Sequence, residues 1–472
     1  MQMTRHFLCT MPGKEIQMEK KQKKFGVKDQ VCYLFGDVGG SFVNLYVDAY
    51  FLVFCTYVLG ISTYFMGTLF LVARIWDAVN DPLIGSIPDR HILGKSGDRF
   101  KPYIKLFMIP LALSGVFCFT NVSGFPDLWK HIWVCFAYIA YGMCYTGASM
   151  PYGSLATVIT DDPVENAKLS RARSFGGGIV GILLAFVPQF IYDKDTNPVP
   201  MAFFVIAIVF GLGSILAYTI LLSGSTERIH YEVKKDDYKF SEVLKNALKN
   251  RPLIGCMIAA IGFLFYNTGF GQVSSYLFKE YYHNTNIITL ATLITMPLML
   301  IIFPFIPNLV RKFGKVGSVL YPCLIGVVIS GFLFFVPIEN PYIYLLINAV
   351  AVIGPMCYAL NCWAIASDCI EYHEYHFGQR ANGTIYSIYT FSRKIGSALA
   401  SAFASYSLGF IGYVSGIASQ TPEVASRIRY LVTAVPLIAN ILICVGLGVI
   451  YNLKKEDSAK IHEELMQRHE EA

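Results

Sequence analysis

Apolar stretches of helix length dominate this sequence. Of its 472 residues, 54% are hydrophobic and only 15% are charged. A soluble protein usually carries about 25% charged residues, because its whole surface must be wetted. The composition therefore disfavours a chain of several soluble domains. A lipid bilayer is the solvent that fits it, since a helix of ~20 apolar residues spans the hydrocarbon core.

Twelve apolar segments of this kind can be counted along the chain. Several are interrupted by Gly or Pro, which membrane helices tolerate when neighbouring groups satisfy the freed backbone atoms. The sequence predicts an all-α membrane protein with twelve transmembrane helices. The segments lie near residues 31–56, 60–87, 103–122, 131–158, 174–192, 200–222, 253–278, 286–306, 317–338, 342–370, 384–413 and 428–451.

The positions of Lys and Arg predict the orientation of these helices. Basic residues gather in the polar N-terminal tail and in alternate loops, such as those that contain Arg90 and Arg311. Because loops rich in Lys and Arg stay in the cytoplasm, both termini are expected there. Topology thus accounts for the net charge of +6 without a nucleic-acid partner. The tail lacks the apolar core of a signal peptide, and either Met1 or Met18 can serve as the start.

A long polar connection divides the chain into two groups of six segments. Such pseudo-symmetric halves are typical of transporters, whose binding site lies near the bilayer midplane between them. The last residues predict a short helix in a solvated tail. The predicted regions are a cytoplasmic tail at 1–30, an N-terminal half at 31–222, a cytoplasmic connection at 223–251, a C-terminal half at 252–451 and a cytoplasmic tail at 452–472.

Two carboxylates in the second segment are the first candidates for a functional site. Asp77 and Asp81 are four residues apart and therefore share one helix face. Ionised side chains there would repel each other, and a bound monovalent cation or a proton relieves that repulsion. Asn80 adds a neutral oxygen, and hard cations prefer oxygen ligands. In the alternative interpretation, Arg74 pairs with Asp77 while Asp81 only anchors the following loop.

The first segment carries a polar stripe. Asp37, Ser41, Asn44 and Asp48 are spaced by four, three and four residues, so they lie on one face of a helix. Carboxylate, amide and hydroxyl groups in a row suit a ligand with many hydroxyls. Packing of the stripe against polar residues of another helix is the alternative.

Further polar and basic residues lie in later segments. Taken alone, hydroxyls indicate helix packing as readily as binding, and basic side chains can extend to the membrane interface. No catalytic or cofactor-binding motif is present, so we expect neither enzymatic activity nor a cofactor. These residues are Tyr141, Tyr145, Thr146, Ser149 and Tyr152 in segment four, Arg173 in segment five, and Thr390, Arg393 and Lys394 in segment eleven.

A long motif in the second segment resembles that of a known family. The run GTLFLVARIWDAVNDPLIG at residues 67–85, followed by FKP at 100–102, closely resembles the signature of the glycoside-pentoside-hexuronide:cation symporters. These are melibiose-permease-like carriers of the major facilitator superfamily. Further similarity at 142–155, 368–374 and 394–397 extends the resemblance over nearly the whole chain. It implies the twelve-helix major facilitator fold and alternating access.

The resemblance also implies roles for individual residues. Asp77, Asp81, Asn80 and Thr146 match the family's cation site, where sodium, lithium or a proton would bind. Tyr145, Arg173, Thr390 and Lys394 match positions of the family's sugar site or coupling residues.

Two departures from the family bear on the substrate. Ser41 and Ser149 stand where the family has carboxylates that hold sugar hydroxyls, and serine makes fewer and weaker hydrogen bonds. Asp48, on the same helix face, is the residue we expect to substitute for them. A neutral pentoside or glycoside and an acidic hexuronide both stay open as substrates.

The sequence therefore predicts a monomeric, multi-pass carrier in the cytoplasmic membrane that couples uptake of a sugar to a cation. A lipid or lysolipid carrier on the same fold is the nearest alternative, although it would need a lateral apolar opening. A membrane enzyme would need a catalytic cluster. A sensor that binds without transport would give the paired carboxylates no evident purpose.

Overall fold

A computed structural model gives the arrangement of the helices. It describes residues 25–90, 93, 98–160, 162–193, 197–229, 249–377, 382–417, 419–453 and 455–471. The lysines of the N-terminal tail up to residue 24, the candidate start Met18, and residues 230–248 of the central connection lie outside the described residues.

All twelve predicted segments coincide with helices in the described part of the chain. Eight stretches are long and apolar enough to cross a membrane, which confirms the all-α membrane fold. The N-terminal helices are α1 (Val27–Val53), α2 (Thr63–Arg90), α3 (Lys101–Cys118), α4 (Asp127–Ile159), α5 (Pro163–Ala185) and α6 (Pro200–Gly224). The others are α7 (Arg251–Leu264), α8 (Asn286–Ile302), α9 (Ile306–Phe335), α10 (Pro341–Ala351 and Ile353–Phe377), α11 (Asn382–Phe410), α12 (Pro422–Cys444) and the C-terminal α13 (Lys455–Glu471).

Local sequence determines where several helices begin. Asn250, Asn340 and Thr421 each accept a hydrogen bond from a backbone N–H in the first turn of α7, α10 and α12. A proline lies within the first two positions of each of these helices, where its missing N–H costs nothing. Beyond α1, α7 and α12 the chain continues through π-helical turns, such as Phe54–Val58 after α1.

The helices pack most extensively within an N-terminal and a C-terminal group. In the N-terminal group α1 packs against α5 and α6, and α3 against α4 and α6. In the C-terminal group α9 packs against α10 and α12, and α7 against α11 and α12. The pairs α2 with α11 and α5 with α8 join the groups. Side chains of α2 and α11 can therefore meet across the centre of the molecule.

Two polar regions differ from the sequence-based expectation. The basic residues Arg311 and Lys312, expected in a loop, lie within α9, which is broken at Gly314 with φ 76°, a left-handed conformation suited to glycine. The C-terminal tail is not simply solvated, because Ile461 and Leu465 of α13 are only 8% and 6% exposed and pack against the C-terminal group. An apolar stripe on an otherwise charged helix explains this docking.

A buried charged cluster closes the end of the bundle at which α1 terminates. The Lys279 ammonium lies 2.7 Å from Glu280 Oε1 and 4.2 Å from the centre of the Tyr57 ring. The Tyr57 hydroxyl donates to Glu280 Oε1 at 2.8 Å, and the Gln420 backbone N–H donates to Oε2 at 2.8 Å. Glu280 thus connects the end of α1 with the chain after α7 and the connection before α12. We call these four residues the end cluster.

Removing the carboxylate of the end cluster should destabilise the protein strongly. In Glu280→Ala, the buried Lys279 loses this carboxylate, and Tyr57 and Gln420 lose their acceptor, so the free energy of unfolding should fall by about 3–5 kcal/mol. Thermal unfolding of the purified protein in detergent measures this. The control is Glu423→Ala, whose exposed side chain pairs with Arg427 and should cost less than about 1 kcal/mol. Equal melting temperatures for the two variants would contradict the prediction.

Candidate functional site

A cavity of about 130 Å³, lined by charged, hydroxyl, aromatic and apolar side chains, lies between α1, α2, α4 and α11. It is smaller than the ~300 Å³ or more of pockets for drug-sized ligands, so it suits a small polar solute. Its polar and aromatic lining residues are Asn44, Arg74, Trp76, Asp77, Asp81, Tyr138, Tyr141, Tyr145, Thr146, Ser149 and Lys394.

Asp81 is the most constrained carboxylate of the cavity. It is only 6% exposed, and its Oδ1 accepts a hydrogen bond of 2.7 Å from the Thr146 hydroxyl. Its other oxygen, Oδ2, forms an ion pair with the Lys394 ammonium. Since Asp81 lies on α2 and Lys394 on α11, this ion pair joins the two groups of helices at the cavity.

Arg74 stands between two further carboxylates. Its Nη2 lies 3.4 Å from Asp48 Oδ1, and its Nη1 lies 3.6 Å from Asp77 Oδ2. The pairing of Arg74 with Asp77, which the alternative interpretation of the sequence required, is therefore observed. One guanidinium thus connects the cation-site candidate Asp77 with the substrate-site candidate Asp48.

The polar stripe of α1 divides into two hydrogen-bonded parts. Towards the cavity, Asn44 donates to Asp48 at 3.1 Å and accepts from the Tyr141 hydroxyl at 2.8 Å. Away from the cavity, Ser41 donates to Asp37 Oδ2 at 3.3 Å. Asp37 Oδ1 also pairs with Arg173 Nε at 3.2 Å. The packing of the stripe against polar residues of other helices, which was the alternative interpretation of the sequence, is therefore present together with the cavity.

The cavity brings together only part of the predicted site. Ser41, Asp48, Arg173, Asn80 and Thr390 do not line it. The Asn80 side chain is 7% exposed, and its Nδ2 has no hydrogen-bond partner among the described residues. The residues that do line the cavity are Asn44, Asp77, Asp81, Tyr145, Thr146, Ser149 and Lys394.

Sequence reasoning missed two contributions to the site. Tyr138 lines the cavity one helical turn before Tyr141, and that spacing of three residues was the available signal. The bridging role of Arg74 between α1 and α2 had no sequence signal, because Asp48 lies on a different helix.

Comparisons with known proteins agree with this architecture. Residues 32–455 match the family described as MFS/sugar transport protein. The "Uncharacterized symporter YjmB" of Bacillus subtilis (strain 168) is 30% identical over 456 residues, which cover 95% of this chain and 97% of that protein. The "Glucuronide carrier protein homolog" of Escherichia coli (strain K12) is 28% identical over 408 residues, covering 86% and 88%.

A solved structure supports the fold alone. A bacterial homologue of the human lysosomal transporter Spinster, in an inward-facing and unoccupied conformation, superimposes with a TM-score of 0.61 at 13% identity. The match covers 93% of this chain and 97% of the other.

Family, fold and cavity lead to one assignment. The matched family is one of membrane transporters and not of enzymes, and the match covers most of the chain. This chain belongs to the MFS/sugar transport protein family, as a multi-pass glycoside-pentoside-hexuronide:cation symporter-type protein of the cytoplasmic membrane.

Proposed function

We propose that this protein couples the transport of a sugar, glycoside or sugar acid to the movement of a monovalent cation. The proposal rests mainly on Asp81, a buried carboxylate. One of its oxygens accepts a hydrogen bond from the Thr146 hydroxyl, and the other forms an ion pair with the Lys394 ammonium. Asp77 lines the same cavity. Two acids, a hydroxyl and a displaceable ammonium form a plausible chemical basis for exchange with an external cation.

A cation would bind where the oxygens of Asp77, Asp81 and Thr146 converge, with Asn80 close by in sequence. The Thr146 hydroxyl donates its hydrogen to Asp81, so its lone pairs stay free for a cation. The Lys394 ammonium is then the group that the cation replaces at Asp81. A proton on Asp81 would release Lys394 in the same way, so sodium, lithium and protons are all chemically suitable coupling ions.

The sugar would bind in the same cavity, in contact with Asn44, Tyr145 and Ser149. Asp48 would act indirectly, because it contacts the cavity residues Asn44 and Arg74. Arg74 connects the two sites because it contacts both carboxylates. Any change in the charge of Asp77 therefore alters how strongly Arg74 is attracted to Asp48. Coupling of this kind is reciprocal: the sugar must raise cation affinity by the factor by which the cation raises sugar affinity. The carboxylate, amide and hydroxyl groups among the lining residues favour hydroxylated solutes over lipids or lysolipids.

The topology of the proposal follows the positions of the basic residues. We place both termini and the connection at 223–251 in the cytoplasm, with halves at 31–222 and 252–451. Relatives named as a glucuronide carrier homolog and as a putative glycoside/cation symporter support a sugar-type substrate and cation coupling. Transport then proceeds by alternating exposure of the cavity to the two sides, with the carrier as a monomer.

Loss of the Asp81 charge should abolish coupling. In Asp81→Asn, Lys394 loses its partner and the cation loses a charged ligand, so solute-dependent sodium or proton movement in proteoliposomes should fall to background. The solutes are a panel of pentosides, glycosides and hexuronides, first screened by thermal shift with and without sodium. Asp127→Asn is the matched control, since Asp127 is exposed and pairs with Lys130 at the start of α4, outside the cavity lining. Undiminished coupled uptake in Asp81→Asn would refute the cation site.

Neutralising Asp48 should weaken sugar binding more than cation binding. In Asp48→Asn, Asn44 and Arg74 lose a charged partner next to the cavity, and sugar affinity should fall about tenfold, which corresponds to about 1.4 kcal/mol. The sodium-induced thermal shift should persist, because Asp77 and Asp81 are intact. Ser41→Ala is the comparison variant: Ser41 lies on the same stripe but bonds to Asp37, whereas Asp48 contacts the cavity residues Asn44 and Arg74, so loss of the Ser41 hydroxyl should have the smaller effect. Normal sugar affinity in Asp48→Asn would refute the assignment.

A further inference from the structure

A second cavity, of about 860 Å³, lies within the C-terminal group of helices. It is bounded by α9, α10, α13 and the π-helical turn Val445–Ile450 that follows α12. Gly314, at the break in α9, is one of its lining residues. Among the described residues, none lines both this cavity and the central one. Its volume is in the range of pockets that hold organic ligands.

One wall of this second cavity is polar and charged. Lys315 pairs with Asp368, yet 39% of the lysine side chain stays exposed. Glu371 lies one helical turn after Asp368 on α10, and Asn452 and Ser458 complete the wall. An ammonium and two carboxylates side by side favour a ligand that carries both charges itself, because each of its charges then has an opposite partner.

The Tyr451 hydroxyl in the same cavity is a polar group that lacks a partner. Tyr451 is only 6% exposed, and its hydroxyl has no hydrogen-bond partner among the described residues. Leaving a buried hydroxyl unpaired costs free energy, so such groups are usually satisfied by water or by a ligand. A phosphate oxygen is an acceptor that a hydroxyl and an ammonium can bind together.

Two exposed apolar stripes lead away from the second cavity. On α9 the stripe contains Tyr321, Leu324 and Val328, and Tyr321 directly follows the last α9 residue that lines the cavity. After α12 the stripe contains Val445 and Val449, and Val449 lines the cavity itself. Both stripes belong to stretches that are apolar enough to cross a membrane. Their exposed side chains therefore suit contact with acyl chains.

We propose that the second cavity binds a phospholipid whose headgroup carries an amine, such as ethanolamine. The phosphate accepts hydrogen bonds from the Lys315 ammonium and the Tyr451 hydroxyl. The headgroup ammonium lies against Asp368 and Glu371, and the acyl chains extend along the two stripes. A soluble solute with the same charges would leave the stripes uncovered. The site is separate from the central cavity, and the inference does not depend on the proposed transport function.

Lipids that share their acyl chains and differ in their headgroups test the site. Binding of dioleoyl phosphatidylethanolamine, phosphatidylcholine and phosphatidylglycerol to the purified, delipidated full-length protein is measured by native mass spectrometry, from the fraction of protein that carries one added lipid. The ethanolamine lipid should bind at least about tenfold more tightly than the choline lipid, because the choline nitrogen has no hydrogen to donate to a carboxylate. Soluble glycerophosphoethanolamine, which lacks the chains, should not bind at the same concentrations.

Removal of the Tyr451 hydroxyl should weaken lipid binding without weakening the lipid-free fold. Tyr451→Phe should bind the ethanolamine lipid about five- to tenfold more weakly, because the phosphate loses a donor. The melting temperature of the delipidated variant should not fall, since the hydroxyl has no described partner to lose. The matched control is Tyr344→Phe: Tyr344 is also buried with an unpartnered hydroxyl, but it lies outside the cavity lining. Its substitution should leave lipid binding unchanged.

Neutralising Glu371 tests the amine end of the headgroup. Glu371→Gln should remove most of the preference for the ethanolamine lipid over the choline lipid, because the ammonium loses a charged partner. Glu456→Gln, on the exposed face at the start of α13 and outside the cavity lining, should leave that preference intact.

The outcomes that overturn the site can be stated in advance. Equal binding of the ethanolamine and choline lipids, tighter binding of phosphatidylglycerol than of phosphatidylethanolamine, or undiminished affinity in Tyr451→Phe contradicts the proposed headgroup contacts. Equal binding of soluble glycerophosphoethanolamine contradicts a lipid as the occupant. None of these measurements uses a sugar or a coupling ion, so their failure leaves the proposed transport function standing.

Discussion

The ion pair between Asp81 and Lys394 joins the two groups of helices at the cavity. Each partner would be costly alone in this environment, because a buried charge without its counter-ion loses its hydration and gains nothing in return. The pair therefore favours conformations in which α2 and α11 lie close together. It also makes the approach of those helices dependent on what else binds to Asp81. This dependence is the physical basis for linking an ion to a conformational change.

The end cluster also offsets the cost of buried charges, but it does so with several hydrogen bonds in addition to an ion pair. Glu280 is paired with Lys279, and both its oxygens accept further hydrogen bonds from Tyr57 and Gln420. No cavity residue takes part in it. If this end opens, water hydrates the Glu280 carboxylate and the Lys279 ammonium together. The free-energy cost of that step is lower than the cost of exposing either charge alone to lipid. A charged closure can thus be reversible in water, where a purely apolar one would resist opening.

How much of the structure could be predicted from the sequence depends on whether a feature lies within one helix or between helices that are distant in sequence. The shared face of Asp77 and Asp81 could be predicted, because a spacing of four residues has one geometric meaning in a helix. The helices themselves could be predicted because an apolar stretch of ~20 residues is long enough to span a bilayer. The partner of Asp81 could not, since Lys394 lies in the other half of the chain and only packing of α2 against α11 brings them together. The stripe on α1 was correctly placed on one face, yet its division between Arg74 and Arg173 depends on two other helices.

The serines at positions 41 and 149 have a consequence for recognition. The resemblance to the family implies carboxylates for sugar hydroxyls at these two positions, where this chain has neutral groups. Its central carboxylates Asp37, Asp48, Asp77 and Asp81 each contact a cation. The acceptors left for a ligand in the cavity are therefore mainly neutral oxygens, which bind hydroxyls more weakly than carboxylates do. Recognition strength has to come from other groups. The aromatic side chains that line the cavity, among them Trp76, Tyr141 and Tyr145, are the groups left to supply it, because a sugar ring can pack against their faces.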